Sequence, residues 1–176
     1  VKVHSFEPSP SSFKKLCENV SNLPNVTAYP IALGDSEQEV MLYINEYPQS
    51  SSILPLTQAH REAFPKAKVI SRLPVQSKTL AKILPKIELR PPVLLKLDVQ
   101  GYEAQVIRGA GERMKSFKYV VLEASFKPMY VGETVFADLI PLLGRHGFTF
   151  QCPVGWLTDS KTDEILQMDA LFIRDI

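Results

Sequence analysis

Four acidic residues stand where apolar runs stop: Glu7 after residues 1–6, Asp35 after 26–33, Asp98 after 93–97 and Glu123 after 119–122. In doubly wound sheets ligands sit outside the carboxyl ends of the strands, so carboxylates at such positions belong to one set. A carboxylate takes two donors side by side, which suits a pair of ribose hydroxyls, and Glu7 fits that task. It fits an exposed turn or a helix cap equally well. The run Leu95-Lys96-Leu97-Asp98-Val99-Gln100-Gly101-Tyr102-Glu103 passes from apolar residues directly into a polar turn, where Gly101 permits close backbone approach or a positive φ. Asp98 is there either a cap for a helix starting near Tyr102 or a group that meets a ligand. Lys96 either snorkels or lends its charge to those carboxylates.

Other reactive residue types are dispersed. His4, His60 and His146 have no metal-ligand spacing and read as surface or packing residues, so no metal is expected. His60 is the one histidine in an irregular segment, where a neutral imidazole can accept a hydroxyl proton near physiological pH. Phe126, Tyr130 and Trp156 read as packing residues, although 126–130 follows Glu123 and is placed to line a pocket. Arg61, Arg72 and Lys127 read as solvated charges. There is no Ser-His-Asp order and no Walker loop, which argues against hydrolysis and phosphoryl transfer.

These residues need a sheet to hold them. The 176 residues, 45% hydrophobic and 22% charged, match one globular core. A net charge of +1 leaves no basic field for a nucleic acid. Cys17 and Cys152 lie far apart without motif spacing, so a disulfide framework is not expected and a reducing, cytoplasmic location is. No apolar run approaches the roughly 20 residues that cross a bilayer, and no membrane span is expected. Periodicity predicts strands over 1–6, 26–33, 39–44, 74–77, 93–97 and 119–123, with a helix that follows the capping residues 8–11 and is ended by 22–25, and others over 79–84, 102–108 and 134–145. The run at 93–97 is nearly all apolar and reads as a central strand covered on both faces. Residues 47–72, with three serines and several prolines around a short helix at 58–64, read as an insertion or lid. At the tail, strands over 148–152, 155–158 and 167–174 have no helix between them and predict an antiparallel closure.

Together, Phe6-Glu7-Pro8, Ala32-Leu33-Gly34-Asp35, the segment from Leu95 to Glu103, Val121-Leu122-Glu123 and Asp169-Ala170-Leu171-Phe172-Ile173 resemble the FkbM-type methyltransferases. The resemblance implies an α/β, Rossmann-like class I methyltransferase sheet of order 3-2-1-4-5-7-6, mostly parallel, with its seventh strand antiparallel. It implies S-adenosylmethionine as cofactor, with Glu7 on the ribose, Leu33 and Asp35 around the adenine, and Asp98, Glu103 and Glu123 as the catalytic carboxylates. The implied reaction is O-methylation of a hydroxyl on a small-molecule or glycan acceptor. Two departures stand out. Gln100 occupies a position where the family usually has Glu, and the family's first strand and glycine-rich loop are expected upstream of Val1. A nicotinamide-dependent dehydrogenase, which would also use Glu7, and a catalytically silent binding module are the alternatives.

Overall fold

The structure, a computed structural model, describes residues 1–159 and 161–175. Alternation at the start of the chain becomes strand β1 (Val3–Phe6). Pro10, whose fixed φ suits a first helical turn, opens α1 (Pro10–Val20). The chain returns as β2 (Val26–Tyr29), parallel to β1 with Val3 opposite Val26. The longer strand expected over 26–33 is interrupted at Pro30, which has no N–H to contribute to a ladder. Its remainder, β3 (Ala32–Leu33), joins a second sheet.

That second sheet contains β4 (Gln38–Asn45) and β5 (Val69–Lys78), which pair antiparallel, while β3 pairs parallel with the end of β5. The four-residue strand expected at 74–77 is thus ten residues long. The segment between β4 and β5 carries α2 (Gln58–Ala63), whose start is capped by Thr57 Oγ1 accepting from His60 N at 3.2 Å. It is docked onto the body of the protein. Thr57 N donates to Met129 O and Val131 N to Pro55 O, over a buried cluster of Leu56, Ala67, Met129, Tyr130 and Leu166.

A short helix, α3 (Leu80–Ile83), leads to β6 (Leu94–Leu97). Then follow α4 (Glu103–Ala110), β7 (Tyr119–Ser125), α5 (Phe136–Gly144), β8 (Phe148–Thr158) and β9 (Ile165–Arg174). The third sheet has the order β6-β7-β9-β8, with β9 antiparallel to both neighbours. The expected antiparallel closure is present. The two strands expected at 148–158 are one, bent by register shifts near Cys152 and Gly155.

Three sequence expectations are corrected. In place of one mostly parallel sheet there are three, with as many antiparallel as parallel strand pairs among the described residues. Among the described residues β6 pairs only with β7, so Leu95 and Leu97 are buried while Leu94 is 56% exposed, the alternation of an edge strand. Trp156, expected to pack, is 65% exposed on β8. The main core lies between β6, β7, β9 and helices α4 and α5, where Val106, Ile107, Val120, Leu122, Leu139, Leu143 and Phe172 are fully enclosed. No helix among the described residues is long and apolar enough to cross a membrane.

Candidate functional site

The unpaired edges of β1 and β6 both border a cavity of about 1290 Å³. Glu7 and Leu33 line one part of it, and Lys96, Asp98, Gln100 and Glu123 line another. Four of the six residues assigned to the site from sequence, Glu7, Leu33, Asp98 and Glu123, therefore share one space because their strands end beside it. Asp35 and Glu103 lie outside the lining. Glu7 Oε1 accepts from Ser9 N at 2.7 Å, which ties down the turn into α1, and burial raises its pKa against the lowering effect of that bond. Leu33 is buried. Asp35 is exposed and accepts from Ser36 Oγ at 3.0 Å.

The turn after β6 departs from simple helix capping. Asp98 does not cap α4; its Oδ1 accepts from Gln100 Nε2 at 2.7 Å, and the residue at the cap position, Tyr102, makes no side-chain cap bond. Glu103 serves the turn instead, with Oε1 accepting from Val99 N at 3.1 Å. It is fully enclosed, and burial pushes its pKa up to about 8. Gln100 itself has φ 55, left-handed backbone that is unusual for a residue with a side chain, and Ser52 of the docked segment donates to its carbonyl at 2.6 Å.

Glu123, at the end of β7, is the best matched to proton transfer. Its Oε2 accepts from Gln100 Nε2 at 2.8 Å and from Gln167 Nε2 at 3.1 Å. Its pKa is pushed up to about 7, first by burial and then by the charge of Asp98, with Lys96 opposing. Lys96 does not pair with Asp98 or Glu123 directly. Its ammonium donates to Asp169 Oδ1 at 2.5 Å, and Asp169 faces Glu123 across the β7–β9 ladder. A carboxyl that titrates near neutrality at the mouth of a cavity is suited to general-base chemistry.

Sequence reasoning missed the groups that organise these carboxylates. Tyr130 OH donates to Gln100 Oε1 at 2.5 Å, Gln167 Nε2 reaches Ser125 Oγ at 3.1 Å, and Glu133 accepts from Ser125 Oγ and from the backbone N–H groups of Met129 and Tyr130. Ser125 and Gln167 are cross-strand partners, a relation that only register reveals. His60 is outside the cavity lining. It is buried against the rings of Tyr130 and Phe64, both ring nitrogens lack partners among the described residues, and burial pulls its pKa down to about 4.

Glu103 offers a test of this geometry. A carboxyl whose folded pKa lies above its unfolded value binds more protons when folded, so stability falls as pH rises from about 4.5 toward about 8 and then levels off. Glu103→Gln keeps an acceptor for Val99 N and removes the titration. The variant is expected to melt close to the parent at pH 5 and above it at pH 8; parallel melting curves across that range would show that Glu103 is not buried.

Comparison with known proteins places the chain in a family. A sequence model described as the methyltransferase FkbM domain matches residues 1–150. The 2-O-methyltransferase NoeI of Sinorhizobium fredii is 23% identical over 157 residues, covering 85% of this chain and 64% of that protein. The hexuronic acid methyltransferase AglP of Haloferax volcanii is 27% identical over 123 residues, covering 69% of this chain and 46% of that protein. The crystal structure of a methyltransferase FkbM from Methylobacillus flagellatus superposes with a TM-score of 0.54 at 13% identity, over 98% of this chain and 36% of that one. The chain therefore spans less than two thirds of the length of each of these proteins, and the structural likeness supports the α/β fold alone. With the domain match running from residue 1 to residue 150, this chain belongs to the methyltransferase FkbM domain family.

Proposed function

We propose that the protein is an S-adenosylmethionine-dependent O-methyltransferase acting on a hydroxyl of a small molecule or glycan. The observation that carries this reading is the single cavity joining Glu7 and Leu33 to Asp98 and Glu123. Its lining carries the residues singled out for the cofactor in one part and those singled out for the acceptor in another. The donor set fits the cofactor as well. Glu7 Oε1 is engaged by Ser9 N, while Oε2 has no partner among the described residues and suits a ribose hydroxyl. Leu33 supplies an apolar wall. Asp35, outside the lining, has no part in the proposal.

Bound there, S-adenosylmethionine would supply an electrophilic methyl group. The work left to the chain is alignment and proton removal. Asp98, at the cavity surface, orients the acceptor hydroxyl, and Glu123 takes its proton as the oxygen gains the methyl. Holding both partners in line contributes much of the rate, and the base a smaller part. Glu103 acts by shaping the turn, since its carboxyl is spent on Val99 N. The relatives whose names record a 2-O-methyltransferase and a hexuronic acid methyltransferase support an acceptor rich in hydroxyls. The family assignment sets the dehydrogenase reading aside.

The open edges of β1 and β6 belong to the same proposal. Each presents unpaired backbone groups to the cavity, and Val3 and Leu94 are 40% and 56% exposed beside them. One additional extended strand between them would satisfy those groups and cover that apolar surface, joining the two sheets as the family's sheet order implies.

Titration calorimetry with S-adenosylhomocysteine on the full-length protein tests the reading. Binding is expected, and Glu7→Ala should weaken it by about 10- to 150-fold, the equivalent of one hydrogen bond to a charged group at about 1.5–3 kcal/mol. No binding by the parent protein would favour the silent-module alternative. An unchanged affinity in the variant would return Glu7 to the turn it also serves.

A further inference from the structure

Gln100 is the centre of the carboxylate cluster, and three features of it converge. Its amide Nε2 lies 2.7 Å from Asp98 Oδ1 and 2.8 Å from Glu123 Oε2, while its Oε1 lies 2.5 Å from Tyr130 OH. Its backbone is held at φ 55, a left-handed conformation that a residue with a side chain keeps only where the surroundings impose it. The imposing contact is Ser52 Oγ, which donates to the Gln100 carbonyl. The amide can face only one way. With its NH₂ toward Asp98 and Glu123 the amide donates to both and accepts from the phenol, whereas the flipped amide would set its carbonyl oxygen against two carboxylate oxygens.

A consequence follows for Glu123. Two amide donors, from Gln100 and Gln167, occupy Oε2. Oε1 accepts nothing from the described residues and is not among the enclosed orphan atoms, so it is the less enclosed oxygen of a residue that lines the cavity. We propose that Gln100 is a positioning residue: locked by Tyr130, its carboxamide ties Asp98 to Glu123 and leaves Glu123 Oε1 as the oxygen that receives the acceptor's proton. The neutral amide does this without adding a third negative charge, which is what a glutamate at this position would bring. The inference rests on the methyltransferase reading for its purpose, but its geometry stands apart from any ligand.

The titratable groups around Glu123 are Asp98 and Lys96 from β6 and its turn, Asp169 from β9, Glu133 and Tyr130 from the loop after β7, and Glu103 from the start of α4. Against that fixed background the Gln100 bond favours the ionised form of Glu123, so its loss must raise the titration midpoint. The test is a pH titration of the Glu123 side-chain carboxyl by ¹³C NMR in glutamate-labelled protein, assigned with Glu123→Gln and recorded without cofactor or acceptor. Gln100→Leu is expected to raise the midpoint by about one pH unit or more, since a bond to a charged group has that worth. Tyr130→Phe, which fills the same space but frees the amide, is expected to raise it by a smaller amount. If Gln100→Leu does not fold, Tyr130→Phe alone decides. Midpoints within about 0.3 unit of the parent in folded variants would overturn the proposal. Because no ligand is used, that outcome is separate from a failure to bind S-adenosylhomocysteine, which would strike the functional reading instead.

Discussion

Glu123→Gln is expected to lower the methylation rate by about 10²-fold or more while cofactor affinity changes little, because the variant keeps the shape of the cluster and loses the proposed proton acceptor. The reason lies in the environment of the residue. Burial and the neighbouring Asp98 place its titration near pH 7, so it is ionised in a useful fraction at neutral pH yet still basic enough to take a proton. The sign of the pH dependence follows. A base works when deprotonated, so the parent rate should climb from about pH 6 to pH 8 and then level off, whereas the variant should lose that inflection. Asp98→Asn is the companion change. Asp98 makes no cap bond to α4, so the variant should melt within a few degrees of the parent and reveal its effect in turnover. The measurement is release of S-adenosylhomocysteine in the presence of a hydroxyl acceptor, as a function of pH. A Glu123→Gln enzyme with the parent's rate and pH profile would remove this residue from the mechanism and leave solvent as the proton acceptor.

The second large effect concerns stability. A β-carbon at Gly109 would lie 1.9 Å from the Gly34 carbonyl oxygen and 3.0 Å from Asp35 Cα, so α4 rests directly on the turn that follows β3. Backbone meets backbone there, and no side-chain rotation can relieve the clash. Gly109→Ala is expected to cost about 3–5 kcal/mol and to lower the melting temperature on the order of 10 °C. It should also weaken binding of S-adenosylhomocysteine, because Leu33 adjoins the displaced turn and lines the cavity. Gly144→Ala is the control. It lies in α5 with nothing within 4 Å of the added carbon, so the change should leave stability level or slightly raised. Equal melting temperatures for the two variants would show that α4 and the Gly34 turn are not in contact.

What could be read from the chain followed from local physics. Apolar alternation marks β1 and β4, a buried apolar run marks β7, helical spacing and Pro10 mark α1, and the absence of a helix between the last runs marks the antiparallel closure of β9 on its neighbours. The placement of acidic residues at strand ends is legible for the same reason, and it singles out Glu7, Asp98 and Glu123. Local reading misled where composition has two explanations. The apolar run at 93–97 suggested cover on both faces, yet an edge beside a cavity leaves Leu94 exposed. Asp98 ahead of a helix suggested a cap, yet the nearby Gln100 amide claims its carboxylate.

Tertiary structure alone decided which residues act together. Gln100 meets Glu123 across 23 positions of sequence, Tyr130 across 30, and Ser52 across 48, and Gln167 reaches Glu123 across 44. It also decided that Glu103 is enclosed while Asp98 is exposed, although the two are five residues apart in one segment. The periodicity of a single element tells which of its faces is apolar, because that pattern is set within a few residues. The ladder register of β7 with β9, the docking of residues 47–72 and the resulting desolvation of each carboxylate depend on surfaces brought together from distant parts of the chain. Those contacts set both the hydrogen-bond partners and the proton affinities of the site.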